Sequence, residues 1–138
     1  MKTKLYLILA AFCILSSCSP TYLETVRVVD FSKYVDEGFY IYPLGTEIKE
    51  KNYIPISSIQ LNFYAGKEND YSKNLPKDSY VISSFNGYVV PKGDYIISRF
   101  VDEAKKFKAD GIIDFQVKDT NEGWIATGTA VKIKLISK

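Results

Sequence analysis

The 138-residue sequence carries 18 basic and 16 acidic side chains and no histidine, which removes the commonest general base and the commonest transition-metal ligand together. Lys2 and Lys4 fall in the first seventeen positions, so the remaining 121 residues set sixteen basic groups against sixteen acidic ones, and no basic excess is left to capture nucleic acid or an anionic surface. A body of that size fits one domain with a modest core.

The N-terminus sets the first expectation. Lys2 and Lys4 precede an unbroken apolar stretch from Leu5 to Leu15, and small residues then lead to Cys18, the layout of an export signal. The apolar run is too short to span a bilayer as a helix. Leu15-Ser16-Ser17-Cys18 resembles the bacterial lipobox, in which the cysteine thiol is acylated before the leader is cut away. The competing reading is an ordinary secretory signal with a cysteine near its end. Lipidation predicts residues 1–17 as a signal peptide, 18–24 as a lipidated tether and 25–138 as the folded domain. Several acyl chains on one residue, at about 0.8 kcal/mol per buried CH₂ group, make such attachment effectively permanent. Ser19 stands where an aspartate would resemble an inner-membrane retention signal, so the expected place is the outer membrane, on its periplasmic side. Cys13 leaves with the leader and Cys18 is consumed by lipid, so no intramolecular disulfide is expected.

Thr25 to Val29 reads as a first strand. Asp30 to Gly38 reads as one helical turn, with Ser32 as N-cap and Gly38 at C′, before Phe39 to Pro43 extends again and Pro43 stops the strand or marks an edge. From Ile56 the residues alternate, with Ile59, Leu61 and Phe63 on one face. Gly66 to Asp78 has no apolar period and reads as a long loop. Tyr80 to Phe85 and Tyr88 to Val90 flank Asn86-Gly87, which predicts a hairpin closed by a type I′ turn. Asp94 to Lys108 reads as the main helix, capped by Asp94, with Ile97, Phe100, Val101, Ala104 and Phe107 on its buried stripe and Gly111 ending it. Ile113, Phe115 and Val117 then alternate in a strand. A turn over Asp119 to Gly123 leads into a final strand from Trp124 to Ile136. Ile125, Val131, Ile133 and Leu135 share one face of that strand, while Ala126, Gly128 and Ala130 form a small-residue stripe on the other that implies close packing.

Residues from Ala104 to Lys134, with Ala-Lys-Lys-Phe-Lys-Ala-Asp-Gly-Ile-Ile at one end and Ala-Thr-Gly-Thr-Ala-Val-Lys at the other, resemble the end of the YbjQ-like family, often called heavy-metal-binding domains. Asp30 to Pro43 and Ile56 to Gly66 resemble segments of small Bacteroidetes lipoproteins that carry such a domain. The resemblance implies a compact α+β fold, here a small mostly antiparallel sheet packed by one main helix, and a ring-shaped homo-oligomer. It implies little about activity. The chain departs from the family's name, because it has neither histidine nor a free cysteine for soft metals.

Candidate sites each admit a plainer reading. The stripe Ala126, Gly128 and Ala130 can seat the helix within the subunit or meet a neighbouring subunit. Tyr40, Tyr42, Tyr64, Tyr80 and Tyr88 can form a stacking or interface surface or simply fill strand positions, and Tyr40 and Tyr42 join the stripe as candidate interface residues. The carboxylates Asp36, Glu37, Asp102, Glu103, Asp114, Asp119 and Glu122 can hold a hard cation or remain solvated surface. No phosphate loop or nucleophile elbow occurs. The expectation is therefore a non-enzymatic, envelope-anchored module without catalytic residues, metal or cofactor. It self-associates and takes a protein or small ligand, the alternative being a cation-binding protein that uses carboxylates.

Overall fold

A computed structural model describes residues 29–48 and 52–134 of the chain. Helix α1 (Ser32–Asp36) leads into strand β1 (Tyr40–Pro43), followed by the long strand β2 (Asn52–Tyr64), the short helix α2 (Asp70–Lys73) and a 3-10 turn (Lys77–Ser79). Strands β3 (Tyr80–Ile82) and β4 (Val89–Pro91) precede the main helix α3 (Gly93–Lys106), and β5 (Gly111–Thr120) and β6 (Gly123–Lys134) close the fold. Four strands form one sheet in the order β1-β5-β6-β2, and β3 and β4 form a separate ribbon. Only the β1–β5 pairing within these sheets is parallel, so the expected α+β architecture with a mostly antiparallel sheet holds. The first expected strand, apart from Val29, lies outside the described residues, as do the expected leader and tether, Cys18 and Leu135.

Helix α3 crosses one face of the sheet. Its Ile96, Ile97, Phe100, Val101 and Ala104 are buried together with Ile41, Ile59, Ile112, Phe115, Ala126 and Ala130. Burial of each large apolar side chain is worth about 1.5–3 kcal/mol, so packing rather than helix propensity holds α3 in place. Phe100 and Phe115 meet edge to face with centroids 5.2 Å apart. Phe107, expected on the buried stripe, follows the last helical residue and is half exposed. Ile96 takes the inner place instead.

Several local expectations are corrected. Asp94 does not cap α3: Lys92 is the N-cap residue, without a side-chain bond, and Asp94 stands in the first turn, where its charge suits the helix dipole. Lys108, at φ 59°, makes the left-handed exit from the helix. Gly111 instead opens β5, where a Cβ would lie 2.8 Å from Ile133 Cδ1 and 3.0 Å from the Tyr40 carbonyl oxygen. Ser32 is the first residue of α1 rather than its cap, and its N–H donates to Asp30 Oδ1 at 2.8 Å. Gly38 holds the expected C′ position at φ 75°.

The β5 alternation is broken by a bulge. Asp114 has φ 55°, and pairing with β6 slips between Ile113 and Gln116. Ile112 and Phe115 therefore both reach the α3 side, while Ile113, paired with Thr129, faces the other way. A bulge adds one residue and so inverts the period-two pattern beyond it. The predicted β3–β4 hairpin forms, but its turn is not type I′. Gly87 takes φ 68° and Asn86 does not have positive φ, and a wider loop results in which Gly87 N–H donates to the Ser83 carbonyl at 2.8 Å.

Candidate functional site

The segment from Gly66 to Asp78, expected as a long loop, contains α2 and most of the 3-10 turn and is folded against the body. Asn69 and Ser72 make a reciprocal capping box, with Ser72 N–H donating to Asn69 Oδ1 at 2.9 Å and Asn69 N–H to Ser72 Oγ at 2.8 Å. Each bond satisfies a donor that a helix start leaves unpaired. Gly66 bridges to Val89, whose N–H donates to the Gly66 carbonyl at 2.7 Å, and Lys92 N–H donates to the Ser79 carbonyl at 2.9 Å. Ser72 and Ser79 are buried by these contacts.

The laced segment forms one wall of a surface cleft of about 430 Å³, whose other walls are the end of β2, residues of β3 and β4, and the first turns of α3. Such a volume lies within the roughly 300–1,000 Å³ usual for small-molecule sites. Phe63, Tyr64, Tyr71, Tyr80 and Tyr95 supply its aromatic surface. Tyr64 and Tyr71 stand at the rim, each 67% exposed. Tyr95 meets Phe63 edge to face at 6.2 Å. Burial, with a hydrogen bond to Tyr71 second, pushes the Tyr95 phenol up to about 12, so it stays a neutral hydrogen-bonding group at ordinary pH.

Arg99 lies one helical turn beyond Tyr95 on the same face of α3. The formal charges on the cleft lining are Lys67 and Arg99, both positive. Behind the wall, Arg99 Nη2 donates to Glu103 Oε1 at 3.2 Å, and Lys106 Nζ donates to the same oxygen at 2.7 Å. The Lys106 bond, reinforced by the Arg99 charge, holds the Glu103 carboxyl below its ordinary value. A guanidinium carries five N–H donors, so this contact leaves Arg99 with capacity to meet an acceptor in the cleft.

The residues singled out from sequence are dispersed. Ala126 and Ala130 are completely buried under α3, and a Cβ on Gly128 would lie 2.9 Å from Ile112 Cγ2 and 3.3 Å from Phe100 Cε1. The stripe is thus filled from within the subunit, which corrects its candidacy as a contact between subunits. Tyr40 and Tyr42 flank the buried Ile41 on β1 and alternate onto the opposite face of the sheet, at the edge furthest from β2. They take no part in the cleft. Tyr64 and Tyr80 do line it. Tyr71, Tyr95 and Arg99 were missed, although Tyr95 and Arg99 share an i,i+4 spacing just off the buried stripe of α3.

Three of the seven candidate carboxylates, Glu37, Asp102 and Glu103, meet cations. Glu37 accepts from Lys105 Nζ at 2.7 Å, which holds its carboxyl below the ordinary value, and Asp102 lies 4.0 Å from Arg99. Among the described residues no three of His, Cys, Asp and Glu come together in a group able to hold a metal ion, and no helix is long and apolar enough to cross a membrane.

Fold and cleft together define an α+β protein with an aromatic surface pocket lined by two basic side chains, Lys67 and Arg99. Comparison with protein-family models, with curated proteins and with solved structures gives no match.

Proposed function

We propose that this chain is a lipoprotein of the bacterial cell envelope, acylated at Cys18, and that its folded body is a non-enzymatic binding module for a small cyclic polyol carrying a carboxylate, such as a uronic acid. The observation that carries the binding reading is the cleft beside α3, which is lined by four tyrosines together with Lys67 and Arg99 and has no carboxylate on its lining. Tyrosine offers a flat apolar face with a polar edge, the combination that a sugar ring needs. Arg99 supplies planar donors suited to a carboxylate. The membrane part rests on the lipobox-like Leu15-Ser16-Ser17-Cys18 after a short apolar run.

Titration of the full chain with glucuronate and with glucose, followed by NMR or calorimetry, tests the ligand class. Glucuronate binds the more tightly, and Arg99→Gln weakens it roughly tenfold, the worth of a hydrogen bond to a charged group, while leaving glucose unaffected. Absence of any perturbation at Tyr71, Tyr95 and Arg99 by either sugar would remove the ligand assignment. Intact-mass analysis of the protein from its producing cell tests the anchor. The expected product begins at Cys18 and carries acyl mass, and a product with an unmodified thiol would exclude it.

A further inference from the structure

The β3–β4 hairpin exposes apolar side chains at its tip and along β3, while Val89, Val90 and Pro91 on β4 are partly buried. Phe85 at its tip is 95% exposed, Ile82 59% and Val81 49%. From Tyr80 to Pro91 the sequence contains no charged residue. An uncharged hairpin tip that exposes a whole aromatic ring marks a contact site, and its form is that of an interfacial anchor, with an aromatic ring leading and an amphipathic ring, Tyr88, behind. The charges begin at the hairpin's base, where Lys77 and Asp78 precede β3 and Lys92 and Asp94 follow β4.

The turn has also settled part of its backbone. Ser83 N–H donates to the Tyr88 carbonyl at 2.8 Å, Gly87 N–H to the Ser83 carbonyl at 2.8 Å, and Tyr88 N–H to Asn86 Oδ1 at 3.1 Å. Each bond made inside the turn lowers the cost of leaving water. The remaining N–H groups, with Ser83, Ser84 and Asn86, keep the loop at the depth of the headgroups and the first methylenes. The basic and acidic groups at the base cancel, so attraction to anionic lipid contributes little.

We propose that the tip of this hairpin, led by Phe85, inserts into the interfacial layer of the bilayer to which the chain is tethered, giving the folded body a second point of attachment and a fixed orientation. The proposal rests on the lipid-anchor reading of Cys18.

The test uses the acylated full chain bearing Phe85→Trp, reconstituted in phosphatidylcholine vesicles, with the emission of Trp124 subtracted by means of the unsubstituted chain. Lipids brominated on their acyl chains should quench most of the added emission, and aqueous iodide should quench little of it. Replacing a third of the lipid by phosphatidylglycerol should leave both results unchanged. Ile82→Trp is the second reporter, and it should be quenched by bromine less than Phe85→Trp, in keeping with its place further from the tip. Emission open to iodide and indifferent to bromine overturns the proposal. So does quenching that requires phosphatidylglycerol, which would show electrostatic adsorption. Shielding from iodide that grows with protein concentration, without bromine quenching, also overturns it and points to a second copy of the chain. Intact mass of the same preparation establishes whether Cys18 is acylated, so failure of the hairpin contact and failure of the anchor are separable.

Discussion

Gly128 occupies a position where a single methyl group decides the packing. Its missing Cβ would press on Ile112 Cγ2 and Phe100 Cε1, and both neighbours belong to fully buried side chains. Gly128→Ala should therefore destabilise the fold by about 1–3 kcal/mol through overpacking, measured by denaturant unfolding. Phe100→Ala opens a cavity in the same place and should cost about 3–5 kcal/mol. Tyr95 gives a pH-dependent signature. Its phenol is raised from 10.0 to about 12, so the folded state retains a proton that the unfolded state has lost above pH 10. Its contribution to stability is thus complete below pH 10 and disappears as pH rises towards 12. Comparing unfolding of the parent chain and Tyr95→Phe across that window should show the alkaline loss only in the parent. At the acid end, Glu103 lies below its ordinary 4.5, so its contribution is present above that pH and fades as pH falls through the lowered value.

At the scale of elements, the junction between α3 and β5 ties helix to sheet. Asp110 accepts from Ile133 N–H at 2.6 Å and pairs with Lys132 Nζ at 2.9 Å, fastening the turn to β6. Asp110→Ala leaves the Ile133 donor without this partner and should cost about 1–3 kcal/mol, with the loss visible as faster amide exchange at the end of β6. Elements with a long period were legible from residues alone. The stripe of Ile97, Phe100, Val101 and Ala104 announced α3, and Ile59, Leu61 and Phe63 announced the inner face of β2. Helix α2 was not, because four residues hold no full apolar period and its stability comes from Asn69 and Ser72 bonding across its first turn. The bulge at Asp114 was hidden for a different reason. Alternation of Ile113, Phe115 and Val117 looks unbroken in sequence, and only the pairing partner on β6 shows that one residue is extra.

For the whole molecule, the sheet has one face covered by α3, and the cleft and the β3–β4 hairpin come from segments that pack around the helix N-terminus. The lining of the cleft is drawn from β2, the α2 segment, β3, β4 and α3, which are separated along the chain. Tyr64 and Tyr80 stood out in sequence only as members of a tyrosine-rich composition, and nothing in their spacing ties them to Arg99. The place of the stripe Ala126, Gly128 and Ala130 was hidden for a related reason. A stripe of small residues signals close approach without saying by what, and α3 proved to be the occupant.

The amino-acid sequence by itself determined the charge balance, the absence of histidine, the amphipathic helix and the alternating strands, because each depends on residues that are neighbours in the chain or on composition. Tertiary structure alone decided which face of β6 the helix covers, where β5 slips its register, and which tyrosines gather around Arg99. Those outcomes depend on contacts between distant segments, and local periodicity carries no information about which distant segments meet.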